Sequence, residues 1–250
     1  MDEDDSKPDL TPIADCRTCR FRGKLLLSGR CHPGDACVVV ESGRQIDRFF
    51  RMNPILASDY LSDPFWERRA IAVRYVQQSE LDDMRHDPDE AVRRAVAYRL
   101  PREKLSSMMH DPDREVRITV ADRVPLEQLE LMAGDPDYLV RAYIAQRLPA
   151  GRLFRLIRDQ DRQVRKLVAR RLPVASLGMM LNDPEPEIRR ELAERCDADE
   201  LIVLLQDEDW TVRLAAAARA PLDALTNLMD DPDEEVRALV RQRLDKTISE

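Results

Sequence analysis

An aspartate returns every 24 residues through most of this 250-residue chain, at Asp63, Asp87, Asp111, Asp135, Asp159, Asp183, Asp207 and Asp231. The stretch Asp87–Pro101, DPDEAVRRAVAYRLP, is the clearest copy of what each aspartate begins. A fixed period held through eight starts without insertion constrains the fold more than any composition can. Each unit must bury its apolar face on its neighbours, which is the logic of a solenoid.

Counted from the leading Asp as offset 0, the unit reads D-P-D-x-x-V-R-x-x-V-A-x-R-L-P-x-x-x-L-x-x-L. Offsets 5, 9 and 13 are apolar (Val92, Val96 and Leu100 in the second unit), an i, i+4, i+8 stripe that predicts a helix of about three turns. Asp at offset 0 followed by Pro (Asp87-Pro88, Asp111-Pro112) reads as an N-cap and first-turn pair, with Glu90 and Glu234 completing capping boxes. Proline at offset 14 (Pro101, Pro125, Pro149, Pro173, Pro221) ends the helix. The remainder, with leucine at offset 18 and an apolar residue at offset 21, has room for one or two turns of 3₁₀ or α-helix. Period-two alternation is absent, so the unit holds no strand.

Pro, Val, Arg and Leu at these offsets, with this period, resemble the leucine-rich repeat variant family. The resemblance covers about residues 63–250 and implies an all-α fold, a right-handed two-layer superhelix with one α-helix and one 3₁₀-helix per unit. HEAT-like repeats share the opening but need a longer second helix than this unit can supply. Asp159-Gln160 and Asp207-Glu208 lack the proline, and Cys196-Asp197 replaces Leu-Pro. Three regions follow: an acidic tail at 1–10, expected to be disordered; a cysteine module with a partial repeat at 11–62; and eight repeats at 63–250.

The partial repeat is visible in Asn53-Pro54-Ile55-Leu56 with Tyr60-Leu61, which look like the second half of a unit. It would make the cysteine module a cap on the open end of the array. No apolar run of about 18 residues is present, and Met1–Leu10 lacks the order of a signal peptide, so a cytoplasmic protein is expected.

Four of the five cysteines crowd into residues 14–37 as C-x2-C-x11-C-x5-C: Cys16, Cys19, Cys31 and Cys37. In a reducing compartment that cluster points to a metal site rather than disulfides. Gly23, Gly29 and Gly34, with Pro33, let the chain turn back so that the second pair meets the first. Four thiolates suit either a structural zinc, with His32 as a substitute ligand, or a 4Fe-4S cluster, and spacing leaves both open. The family resemblance implies the 4Fe-4S cluster, held by Cys16, Cys19, Cys31 and Cys37.

Of the 40 basic residues 35 are arginine, and two arginine columns recur. Offset 6 runs from Arg69 through Arg141 to Arg237, and offset 12 from Arg99 to Arg243. Phosphate binding is one reading of such columns. The wheel instead turns offset 6 toward neighbouring units, with the acid at offset 2 (Asp137 for Arg141) spaced i, i+4 for pairing. Offset 12 lies in the last turn, where a cation complements the helix dipole. The repeats carry 38 acidic and 31 basic residues, a balance that opposes nucleic acid.

His86 and His110 precede adjacent leading aspartates, as a polar joint or a metal-bridging pair, and Cys196 takes a core offset as a small apolar residue. No phosphate loop, H-E-x-x-H or G-x-S-x-G motif occurs. The expected function is therefore a redox-sensitive or electron-transferring interaction protein without autonomous catalysis. A binding scaffold whose zinc or iron-sulfur site is only a cap is the alternative, and nucleic-acid binding through the arginine columns a third. Offsets 3, 4, 7 and 11 vary between units and are expected to form the partner face, near Tyr138 and Trp210 or at the cluster end.

Overall fold

The computed structural model describes residues 11–248. The acidic tail read from the sequence therefore lies outside the described residues. The chain divides into two compact units, Met1–Pro125 and Leu126–Glu250.

In the first unit, one turn of π-helix (Arg22–Leu26) precedes α1 (Gly43–Met52) and a 3₁₀ segment (Pro54–Tyr60). α2 (Trp66–Ala72) leads to a 3₁₀ turn (Gln78–Glu80) continued by α3 (Leu81–Met84), and then to α4 (Glu90–Arg99), a 3₁₀ segment (Arg102–Met108) and α5 (Arg114–Arg123). The second unit opens with α6 (Leu126–Leu129) and a 3₁₀ turn (Glu130–Met132). It continues through α7 (Tyr138–Arg147), 3₁₀ Ala150–Leu156, α8 (Arg162–Arg171), 3₁₀ Val174–Met180, α9 (Pro186–Ala193) and α10 (Ala198–Leu204). α11 (Trp210–Arg219), 3₁₀ Leu222–Leu228 and α12 (Glu234–Ile248) complete it. Among the described residues there is no strand, only an isolated bridge between His32 and Ala36.

The expected layers form. Within the first unit α1 packs on α2, α2 on α4 and α4 on α5; within the second, α7 packs on α8, α8 on α9, α9 on α11 and α11 on α12. The stripe is buried in the inner units: Val92, Val96 and Leu100 have no exposed surface, nor do Val140, Ile144 and Leu148, while Leu244 in the last unit is half-buried. The alanine column at offset 10 (Ala97, Ala121, Ala145, Ala169, Ala193, Ala217) is equally buried, so a methyl group is all that fits there.

The caps differ from the expected ones. The helices begin at offset 3, and in most units their N-cap is the acid at offset 2: Asp89 accepts the Ala91 amide, Asp137 that of Leu139 and Asp161 that of Gln163, whereas α2 follows Phe65 and Glu185 before α9 makes no side-chain cap bond. Glu90 and Glu234 are thus first-turn residues and close no capping box. The boxes that do form are Gln77 with Glu80 and Asp197 with Glu200, where offset 14 is not proline. Asp197 has a carboxylate to offer amide protons and proline does not, and after Asp197 the second segment is α10 rather than a 3₁₀ piece.

The leading aspartate is instead the bond between layers. Arg141 gives Nε and Nη2 to both oxygens of Asp159 at 2.7 and 2.8 Å, while its Nη1 binds the Asp135 carbonyl at 2.8 Å. The same fork joins Arg69 to Asp87, Arg93 to Asp111, Arg165 to Asp183, Arg189 to Asp207 and Arg213 to Asp231. The expected Arg141–Asp137 pair is therefore corrected: Asp137 is spent on capping, and the partner is 18 residues ahead. Each leading Asp also accepts the amide two residues on, as Asp159 does from Asp161 at 2.9 Å. Arg213 holds the Asp231 carboxyl below its ordinary pKa. Offset 12 also acts across layers: Arg99 binds the Val73 and Val76 carbonyls at 2.6 and 2.9 Å, and Arg219 those of Ala193 and Cys196 at 2.7 and 2.9 Å. Each such arginine caps the preceding helix rather than its own.

Candidate metal centre

The cysteine segment turns by short local hydrogen bonds. The Cys19 amide meets the Cys16 carbonyl at 3.4 Å, the Arg22 amide meets the Cys19 carbonyl at 3.1 Å, and the π turn ends with the Arg30 amide on the Leu25 carbonyl at 2.8 Å. Two reciprocal 2.8 Å bonds between His32 and Ala36 then set Cys31 and Cys37 on either side of a tight hairpin. Gly29 and Gly34 adopt φ of 69° and 79°, which other residues reach only with strain. Gly23, expected to have the same role, lies inside the π turn with no positive φ.

α1 holds the second cysteine pair. The Cys37 amide binds the Gln45 carbonyl at 3.1 Å, and Gln45 Nε2 reaches the Pro12 carbonyl at 2.8 Å. Asn53 Nδ2 donates to the carbonyl of Arg30, the residue before Cys31, at 2.8 Å and to that of Phe49 at 2.9 Å. Arg30 Nη2 returns a 2.6 Å bond to the Met52 carbonyl. Gln45, Phe49 and Asn53 are the i, i+4, i+8 stripe of α1, all buried, with amides at two places where a repeat carries aliphatic residues. Sequence reasoning missed Gln45 and Asn53; two amides on a buried stripe were the available signal.

The first pair is anchored through its neighbours. Phe21 packs on Phe49 with centroids 5.3 Å apart, and Arg20 lies over Phe21 while donating to the Tyr60 hydroxyl at 2.9 Å. α1 packs on α2, and Pro54–Tyr60 is a 3₁₀ segment that follows α1 as the 3₁₀ pieces follow the repeat helices. Arg68, which stands where later units have valine, locks the joint by binding Asp63 at 3.1 Å and the Val39 carbonyl at 2.7 Å.

None of the four cysteines is in a disulfide; Cys31 and Cys37 are buried, Cys16 and Cys19 partly so. Burial, then the nearby Cys37, Cys19 and Cys16, push the Cys31 thiol up to about 11. Burial, then Cys19 and Cys37, raise Cys16 in the same direction. The four sulfurs thus lie within electrostatic range of one another, and a cationic group among them would reverse their mutual repulsion. Among the described residues, no three His, Cys, Asp or Glu side chains are placed closely enough to hold a metal ion as they stand. This covers His32, which is exposed, and the His86/His110 pair, which lines a groove of about 370 Å³ with Asp87 and Asp111. A single zinc would require sulfurs about 3.8 Å apart, from Zn–S bonds of about 2.3 Å in a tetrahedron. Four separate irons take one thiolate each, and four cysteines are the donor set such a cluster uses.

The fifth cysteine, Cys196, is buried alone and raised to about 11 chiefly by burial, as a core residue should be. The paired offset-6 arginines have their forks filled by carboxylates. Trp66, Tyr138 and Trp210 at offset 3 are 37–42% exposed, but offset 7 is not uniformly outward, since Ala70 and Ala142 are buried. No helix among the described residues is long and apolar enough to cross a membrane.

Comparison with known proteins agrees with this geometry. Residues 12–59, which contain all four clustered cysteines, match the family model described as "LRV protein FeS4 cluster". Residues 90–113, 114–137, 162–185 and 210–233 match the "Leucine rich repeat variant" model, each match starting where α4, α5, α8 and α11 start. A solved structure described as "a leucine-rich repeat variant with a novel repetitive protein structural motif" is 68% identical, with a TM-score of 0.85 over 93% of this chain and 100% of that one. An "uncharacterized 27.7 kDa protein in nifB 3'region" of Rhodobacter capsulatus is 39% identical over 87 residues, so the match spans about a third (35%) of that relative. The chain belongs to the leucine-rich repeat variant family, an all-α protein of 24-residue α/3₁₀ repeats whose N-terminal FeS4 domain implies a 4Fe-4S cluster bound by cysteines.

Proposed function

We propose that Cys16, Cys19, Cys31 and Cys37 hold the cluster, and that the protein is a cluster-bearing interaction protein without catalysis of its own, in which the state of the cluster governs affinity for a protein partner. The observation that carries this reading is the double tie between the buried cysteine pair and α1, through the Gln45 carbonyl and the Asn53 amide. A bound 4Fe-4S cluster supplies one-electron chemistry and a bonded link among four thiolates. The rest is done by the chain. Asn53 and Gln45 fix the backbone at Cys31 and Cys37, so a displacement of those cysteines is passed to α1 and from there to α2, on which it packs.

The test is affinity capture with the intact full chain and with its Cys31→Ser form after iron removal. A partner recovered by one form and not by the other is the expected result. Identical recovery by both would reduce the cluster to a structural cap.

A further inference from the structure

A groove of about 960 Å³ runs across α1, α2 and α4 to the start of α5 in the first unit. Its floor is made of small side chains, Ala70, Ala91 and Ala95, and its rim carries Trp66 and Tyr98, which are 42% and 54% exposed. Two large aromatics left in solvent beside a shallow floor are the anchors that interfaces use. The charges on the rim are also informative. Asp47 is taken by Arg51, Arg74 and Tyr75, Asp113 by the Glu115 and Val116 amides, Glu115 by Arg114, and Arg99 by two backbone carbonyls. That leaves Arg44 and Arg94, the latter with its guanidinium over the Tyr98 ring, as donors beside Glu67 and Glu90 as acceptors.

A phosphate chain presents acceptors only and would meet both glutamates unfavourably. A peptide presents one donor and one acceptor per residue, and this rim can satisfy both. The groove wall contributed by Gly43, Arg44 and Asp47 belongs to α1, the helix to which Cys37 and the residue before Cys31 are bonded. An occupant would therefore touch the element that the cluster module holds.

We infer that this groove is the docking site for a peptide segment of a protein partner, with an apolar side chain seated on the alanine floor against Trp66 and Tyr98 and its polar flanks on Arg44, Arg94, Glu67 and Glu90. The inference rests on the reading of the chain as an interaction protein and names where the partner binds.

The probe is a displayed library of random peptides, selected on the full, cluster-loaded chain, with affinities of the enriched peptides then measured by fluorescence polarisation. Binding should weaken at least about tenfold in Trp66→Ala, Tyr98→Ala and Ala95→Arg. It should hold in Phe154→Ser, an exposed site in the other unit. Trp66 and Tyr98 are exposed, so unchanged melting temperatures in those two variants separate lost binding from lost folding. Peptides that bind every variant as they bind the wild type, or no enrichment above the bare support, would overturn the groove. A third arm repeats the titration on iron-free chain. Equal affinity there, with the Trp66→Ala loss retained, would keep the groove and sink cluster control.

Discussion

Removing the Asp159 carboxylate leaves the Arg141 guanidinium without its bidentate partner between two layers, at a site where the two side chains are only 4% and 6% exposed. Asp159→Ala should therefore cost about 3–5 kcal/mol, because a buried charge is left uncompensated. Asp161, two residues on, caps the start of α8 through the Gln163 amide, and Asp161→Ala should cost only about 1 kcal/mol. Urea denaturation of the two variants reads the difference, and equal losses would contradict the division of roles. The sequence alone suggested the reverse assignment. An acid four residues before an arginine is in range on a wheel, and an Asp-Pro pair is a familiar helix start. What hid the true partner is that Asp159 lies outside the helix of Arg141 and meets it only after the chain has gone round one unit. The burial of the arginine column was legible because the wheel gives direction; its partner was not, because the wheel contains a single helix.

At the scale of elements, the ten-residue helices, the proline stops and the short second segments could all be read from apolar spacing and from proline chemistry. The module could be read only in outline. Cysteine spacing marks a metal site, but the bonds that carry it come from Gln45 and Asn53, amides that look like ordinary polar residues until α1 is seen to bury them. Asn53→Leu tests their importance. It keeps a buried side chain of similar size on the stripe but removes the bond to the Arg30 carbonyl. The variant should keep its helical circular dichroism while losing iron to a chelator at least about tenfold faster than the wild type, since outer contacts of this kind affect metal affinity by about 10–100-fold. Unaltered iron loss would mean that Asn53 supports α1 alone.

At the scale of the whole molecule, the cysteine module is built into the first layer of the arginine-stapled repeats, and the proposed function adds a cluster to it. Arg68, Asn53 and Gln45 make the module part of the layer rather than an appendage. The cluster assignment stands or falls on which sulfurs hold the iron. The direct measurement is the iron-to-protein ratio of anaerobically purified chain, taken for the wild type and for single Cys→Ser replacements at Cys16, Cys19, Cys31, Cys37 and Cys196. The wild type should carry about four irons per chain, each of the first four replacements should lower that content, and Cys196→Ser should keep it. Full iron content in any of the four, or its loss in Cys196→Ser, would contradict the account.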